Sequence, residues 1–169
     1  MSITQTTDYV DRFKISQNKY TNLQATIDFY EKSYLIKLLG KDLYDLFIAD
    51  LVAGGGYPTE QRFIDIYEPI YIEQTLCEYN LTSEGIPEML KGFVYFEYTR
   101  KQNQTNTIVG NVKGDAENSV GVDNQNSYMI EIYNWSVMYF QTIRYILKGE
   151  PDVYPEYKGT SLDFSTIIY

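Results

Sequence analysis

The chain contains no histidine. That absence removes the commonest general base, the commonest metal ligand, and the Ser-His and Cys-His pairs that activate nucleophiles. There is one cysteine, Cys77, which cannot close an internal disulfide. Its setting, IEQTLCEYN, offers no adjacent Lys or Arg to lower its pKa, so it reads as a small buried hydrophobe. Basic residues are scarce: 14 Lys and Arg stand against 23 Asp and Glu, for a net charge of −9. Sequence-specific nucleic-acid binders displace counterions with clustered Lys and Arg, so the balance argues against that class. It suits a surface that DNA must slide past, because like charges repel. No window approaches the run of about 18 apolar residues that spans a bilayer. The opening MSITQTTDYVDRF lacks a basic stretch followed by an apolar one, so we expect a protein that is neither exported nor membrane-embedded.

What the chain does have is apolar periodicity. With 169 residues and 44% hydrophobic content it can bury one core without staples or metals. Tyrosine is abundant, 18 residues against 8 Phe and 1 Trp. A large apolar ring with a polar tip suits half-wet protein interfaces, and equally suits filling a core.

Residues 1–20 show no sustained period and read as a loose lead-in or a short helix. Leu23, Ile27, Tyr30, Tyr34 and Leu38 recur at steps of four and three, predicting a helix from Thr21 to Leu39, with Thr21 or Asn22 capping it and Gly40 ending it. KDLYDLFIADLVA, with Leu43, Phe47 and Leu51 on one stripe, predicts a second helix that Gly54 to Gly56 stop. The stretch from Tyr57 to Gly85 reads as more helix, in two pieces around Pro69. IPEMLKGFVYFEYTRKQN predicts a central helix with Pro87 in its first turn and Met89, Phe93 and Phe96 on one stripe, beside Leu90 and Val94. Helicity resumes near Asn126 and runs to Gly149. Two neighbouring stripes, Tyr128, Ile132, Trp135, Tyr139, Thr142, Ile146 and Met129, Tyr133, Ser136, Phe140, Ile143, Leu147, make this helix apolar on most sides, so it should pack on more than one.

Between the last two helices lies a polar, glycine-punctuated stretch, about 102–125, whose piece TNTIVGNV is β-prone and reads as a hairpin or extended arm. Residues 150–169, with Pro151 and Pro155, read as an extended tail ending in the β-prone LDFSTIIY. That end either folds back on its own core or adds to a neighbour's sheet or groove. The predicted fold class is therefore mainly α: a bundle of about five helices, residues 21–149, with an arm between the last two long helices, a lead-in and a tail.

Sites of known chemistry are not assembled by these residues. GNVKGDAENS, Gly110 to Ser119, has Lys113 before Gly114, whereas a phosphate-binding loop needs G-x-x-x-x-G-K-[ST], and Asp115 and Glu117 would repel phosphate. Asp115, Glu117, Asn118 and Asp123 lack the EF-hand spacing. Glu97, between Phe96 and Tyr98, is the best single candidate for acid–base work, and an ion pair with Lys101 one turn on is the plainer reading. Asp42, Asp45 and Asp50 read as a solvated helix face. Asn80-Leu-Thr82 matches a glycosylation acceptor without a secretion signal to support it. We expect no catalytic residue, no metal and no cofactor.

YEKSYLIKLLGKDLYDLF, Tyr30 to Phe47, and LKGFVYFEYTRKQNQTNTIVGNVKGDAENS, Leu90 to Ser119, resemble the helix-Gly-helix opening and the helix-plus-arm of small head-to-tail connector proteins of tailed bacteriophages, as in crAss-like phages. The resemblance implies a non-enzymatic virion protein of the neck, made in the host cytoplasm. It implies a homo-oligomeric ring, commonly of twelve copies, that binds the portal and further tail or ring proteins, while DNA passes through its channel unread. It implies partner contacts at Thr107, Ile108, Val109, Asn111 and Val112 on the arm, and at Phe164, Ile167, Ile168 and Tyr169 on the tail. A helical adaptor or regulatory protein of phage or bacterium outside the virion is the alternative reading, and an acid–base hydrolase using Glu97 is a third.

Overall fold

A computed structural model of the chain describes residues 2–15, 23–73, 80–103, 106–107, 110–111 and 122–162; for 102–103, 106–107, 110–111 and 122–126 it describes the backbone alone. Thr21, Asn22, Cys77, Ile108, Val109, Val112, Phe164, Ile167, Ile168 and Tyr169, all invoked above, lie outside the described residues. Two 3-10 turns, Thr6–Asp8 and Asp11–Phe13, precede the helices α1 (Leu23–Leu39), α2 (Lys41–Ala53) and α3 (Gln61–Tyr67). There follow strands β1 (Ile70–Ile72) and β2 (Leu81–Ser83), helix α4 (Gly85–Asn103), strands β3 (Asn106–Thr107) and β4 (Gly110–Asn111), and helix α5 (Val122–Gly149). Among the described residues the fold is mainly α, with five helices and a short hairpin between the last two, as the sequence predicts.

Helices α4 and α5 form the central pair. The stripes read from sequence face inward: Met89, Leu90, Phe93 and Val94 on α4 and Met129, Ile132, Tyr133, Phe140, Ile143 and Leu147 on α5 are buried, while Phe96, Tyr128, Trp135 and Ile146 are half-buried against the core. The crossing is close because both partners are small at one point. A Cβ added to Gly92 would lie 1.9 Å from Ser136 Oγ and 3.3 Å from Ser136 Cβ. Ser136 turns its hydroxyl back onto the Ile132 carbonyl, 3.0 Å away, so a polar group sits in the crossing without being left unpaired. Beside this point Phe93 stacks on Tyr34 of α1, with centroids 4.0 Å apart, and meets the Tyr133 and Phe140 rings edge-on. One phenyl ring thus joins three helices.

The corner between α1 and α2 depends on Gly40, whose φ of +80° and ψ of 163° fall in a region essentially reserved for glycine. Its N–H closes α1 on the Ile36 carbonyl and its carbonyl accepts from Tyr44 in α2, so no residue is spent on a linker. Helix α2 ends where Gly56 N–H reaches back to the Leu51 carbonyl at 2.8 Å.

Three expectations need correction. The helix anticipated after Pro69 is instead an antiparallel hairpin, with Ile70 opposite Ser83, Tyr71 opposite Thr82 and Ile72 opposite Leu81. Proline disfavours the helical region for its predecessor, and Glu68 is extended, with φ −79° and ψ 166°; Ile-Tyr-Ile then carries on as strand. Helix α5 begins at Val122, four residues before the expected start. Residues 2–15 of the lead-in are not loose: Tyr9, Phe13 and Ile15 are buried with Leu23, Ile27, Val94, Tyr95, Tyr98 and Ile132 in a second apolar cluster. Its clasp is Glu31 of α1, 3% exposed, which accepts from Ile3 N–H at 2.9 Å, Thr4 N–H at 2.8 Å and the Thr4 hydroxyl at 2.5 Å. Burial pushes the Glu31 carboxyl above its ordinary pKa, and these donors pull it back only in part.

The tail folds back onto the body as far as Leu162, the first residue of LDFSTIIY; the rest of that end lies outside the described residues. The Tyr154 hydroxyl donates to the Arg62 carbonyl at 2.7 Å. Lys158 N–H and Thr160 N–H then donate to the carbonyls of Leu39 and Lys37. Those carbonyls belong to the last turn of α1, where intrahelical partners run out, so the tail satisfies the helix end. Leu162 is buried in the main core.

The α4–α5 crossing yields a test. Gly92→Ala should destabilise the protein by about 1–3 kcal/mol in denaturant unfolding, as overpacking does. Adding Ser136→Ala should recover part of that loss, because the nearest remaining contact relaxes to 3.3 Å. Equal and additive losses would show that the two residues are not coupled.

Candidate functional site

The arm follows the C-terminal turns of α4. Strands β3 and β4 pair antiparallel, Asn106 opposite Asn111 and Thr107 opposite Gly110. Two of the arm residues implicated in partner contact, Thr107 and Asn111, are therefore brought together on one hairpin. The tail residues implicated with them are outside the described residues.

One turn before the arm, Glu97 of α4 is 8% exposed. It accepts the Tyr34 hydroxyl of α1 at 3.1 Å and a guanidinium N–H of Arg100 at 2.5 Å. The ion pair expected with Lys101 forms with Arg100 instead, because position 100 lies half-buried on the packed side of α4 while Lys101 is exposed. Lys101 Nζ sits 4.8 Å from the centre of the Tyr30 ring, and Arg100 lies 5.9 Å from the Phe96 ring. Burial first, and then the Glu97 charge, push the Tyr34 phenol well above its ordinary pKa, so it stays a proton donor to Glu97. Burial does the same to Tyr133, which packs edge-on to Phe93. Glu97 thus pairs with a guanidinium and accepts from a phenol, and among the described residues it is not poised beside a second carboxylate as paired-acid hydrolysis requires. The arrangement clamps α1 to the base of the arm.

The other acidic candidates are also structural. Asp45 pairs with Lys41, and Asp42 accepts from Lys158 of the tail at 2.7 Å. Asp50 corrects the reading of a solvated face. It is buried and accepts from Thr59 N–H at 2.7 Å, from the Thr59 hydroxyl and from Glu60 N–H at 3.3 Å, just ahead of α3. Burial pushes its carboxyl up, but these hydrogen bonds outweigh it and hold the pKa below the usual carboxylate value. Among the described residues no group of three or more Cys, Asp or Glu could hold a metal ion. Among the same residues no helix is long and apolar enough to cross a membrane.

Tyrosine mostly serves the core. Seven tyrosines, at 9, 34, 95, 98, 133, 139 and 154, are buried, and three, Tyr57, Tyr71 and Tyr145, are conspicuously exposed. One exposed tyrosine marks a feature that reading Tyr57 to Gly85 as helix concealed. Between the β1–β2 hairpin and α5 lies a groove of about 270 Å³, lined by Pro69, Ile70, Tyr71, Thr82, Met138 and Tyr139 among others. The hairpin is held there by Thr142 of α5, whose hydroxyl lies 3.0 Å from the Thr82 carbonyl and 3.0 Å from that of Met138. Tyr71 is steadied by Asn80, whose side-chain amide donates to its hydroxyl at 2.7 Å. The alternation in Ile-Tyr-Ile was the signal available in sequence, and three residues are too few for periodicity to separate strand from helix.

Compared with models of protein families, with curated proteins and with solved structures, the chain matches none.

Replacing Glu97 by Gln tests the clamp. The carboxylate makes one buried hydrogen bond and one charge-assisted pair, so the substitution should lower stability by about 1–2 kcal/mol. The measurement is chemical unfolding together with near-ultraviolet circular dichroism of the tyrosines. Unchanged stability would remove Glu97 from the account of the arm's base.

Proposed function

We propose that the chain is a structural subunit of a tailed-bacteriophage particle: one copy of a ring that joins the portal to the tail and forms part of the DNA channel. The observation that carries this reading is the β3–β4 hairpin, an arm set between the two longest helices and braced at its base by the Tyr34–Glu97–Arg100 contacts. A packed helical body supplies spacing, and an arm whose short strands have unpaired edges can reach a neighbour. In this reading Thr107 to Val112 make strand-like contacts with the adjacent copy, and Phe164, Ile167, Ile168 and Tyr169 dock outside their own body, on the portal, on the next ring or on a neighbouring copy. The net charge of −9 supports the channel role, since an acidic lining repels passing DNA and a basic one would retain it. No reaction is assigned, and the twelve-fold copy number follows from the resemblance of Tyr30 to Phe47 and Leu90 to Ser119.

Size-exclusion chromatography with light scattering, alone and with the cognate portal, tests the proposal. The wild-type chain should form a ring-sized species, alone or on the portal. Deleting residues 104–121 behind a short Gly-Ser bridge should abolish that species while leaving the helical circular dichroism intact. A strict monomer that ignores the portal would contradict the proposal.

A further inference from the structure

We propose that the groove between the β1–β2 hairpin and α5 receives residues 163–169, Asp-Phe-Ser-Thr-Ile-Ile-Tyr, of a neighbouring copy. That the donor is a neighbour rests on the ring reading above; the groove and the segment that fits it do not.

The receiving surface leaves large side chains open, next to the exposed Glu84. Tyr71 is 65% exposed and Met138 41% exposed, and both line the groove of about 270 Å³, which has room for one or two large apolar side chains. Tyr145, 54% exposed, extends the surface two helical turns along α5. Large side chains left open together mark a contact, in a way that scattered ones do not. The surface also offers backbone. Its sheet has two strands among the described residues, and the β2 carbonyl at Thr82 is engaged by Thr142 of α5. The outer edge therefore belongs to β1, an edge strand able to pair with an extended peptide.

Leu162, 4% exposed, is buried in the core, and two residues earlier Thr160 is tied to Lys37 of α1, so the segment that follows departs from a fixed point on the body. Seven residues reach at most about 24 Å when extended. Four of them, Phe164, Ile167, Ile168 and Tyr169, are large and apolar, and Thr166, Ile167 and Ile168 are β-branched. Such a sequence favours the pleated form that adds to an edge, with alternate side chains entering the groove.

The test uses the full chain carrying Phe164→p-benzoylphenylalanine, mixed as equal parts isotopically light and heavy protein, illuminated and mapped by mass spectrometry. The expected result is light–heavy crosslinks ending at residues 69–72 and 138–139. In the same chain Met138→Asp should cut their yield about tenfold, the effect of a 1.4 kcal/mol loss of affinity, without changing the circular dichroism. Crosslinks confined to one chain would overturn the proposal in favour of the segment covering its own groove. Light–heavy crosslinks ending elsewhere, or indifferent to Met138→Asp, would overturn the groove assignment. A ring seen by light scattering in either case leaves the ring reading standing, whereas a monomer at every concentration, with and without the cognate portal, removes both.

Discussion

The close approach of α4 and α5 at Gly92 and Ser136 sets the spacing from which the rest of the molecule follows. With no side chain on one helix and a single hydroxyl on the other, the backbones can draw together, and the hydroxyl is already occupied by the Ile132 carbonyl. That spacing lets Phe93 reach Tyr133 and Phe140 on α5 while stacking on Tyr34 of α1. The same Tyr34 then turns its hydroxyl to Glu97, so the apolar centre and the polar clamp at the arm's base share one residue. A longer side chain at position 92 would shift the layers that this ring connects.

Around that centre the two ends of the chain act as straps. The N-terminal strap hangs from the buried Glu31 carboxylate and covers the second apolar cluster with Tyr9, Phe13 and Ile15. The C-terminal strap supplies the hydrogen bonds that the last turn of α1 lacks, and fixes Leu162 in the core. Both straps close onto α1, which otherwise touches the central pair along one side. A body tied in this way is suited to hold an arm and a terminal segment at fixed distances from each other, as a subunit of an assembly must.

The helices were legible in the sequence because long amphipathic stripes leave little choice: every residue of the α2 stripe is buried, and all but Tyr30 of the α1 stripe. Gly40 and the glycines after α2 were legible because each ends an apolar period. The β1–β2 hairpin was not, since Ile70 to Ile72 and Leu81 to Ser83 are too short to show a period of two, and the apolar content between Pro69 and Gly85 suits either structure. The N-terminal strap was missed for a related reason: Thr4 and Glu31 meet across 27 residues of chain, a separation that local pattern does not record. The partner of Glu97 was misread by one position, because sequence spacing allows i+3 and i+4 equally and packing decides between them.

The polar arm and the end of the tail were the segments whose composition asked for a partner. The arm's base is defined by Tyr34, Glu97 and Arg100, and the groove beside Tyr71 and Met138 is the second surface proposed for contact. The measurement that tests the account's central claim most directly is quantitative mass spectrometry of purified phage particles that carry the cognate portal. The account predicts this chain in the particle in equal copy number with the portal, as a ring matched to it requires. Particles that are complete, infectious and free of the chain would contradict it.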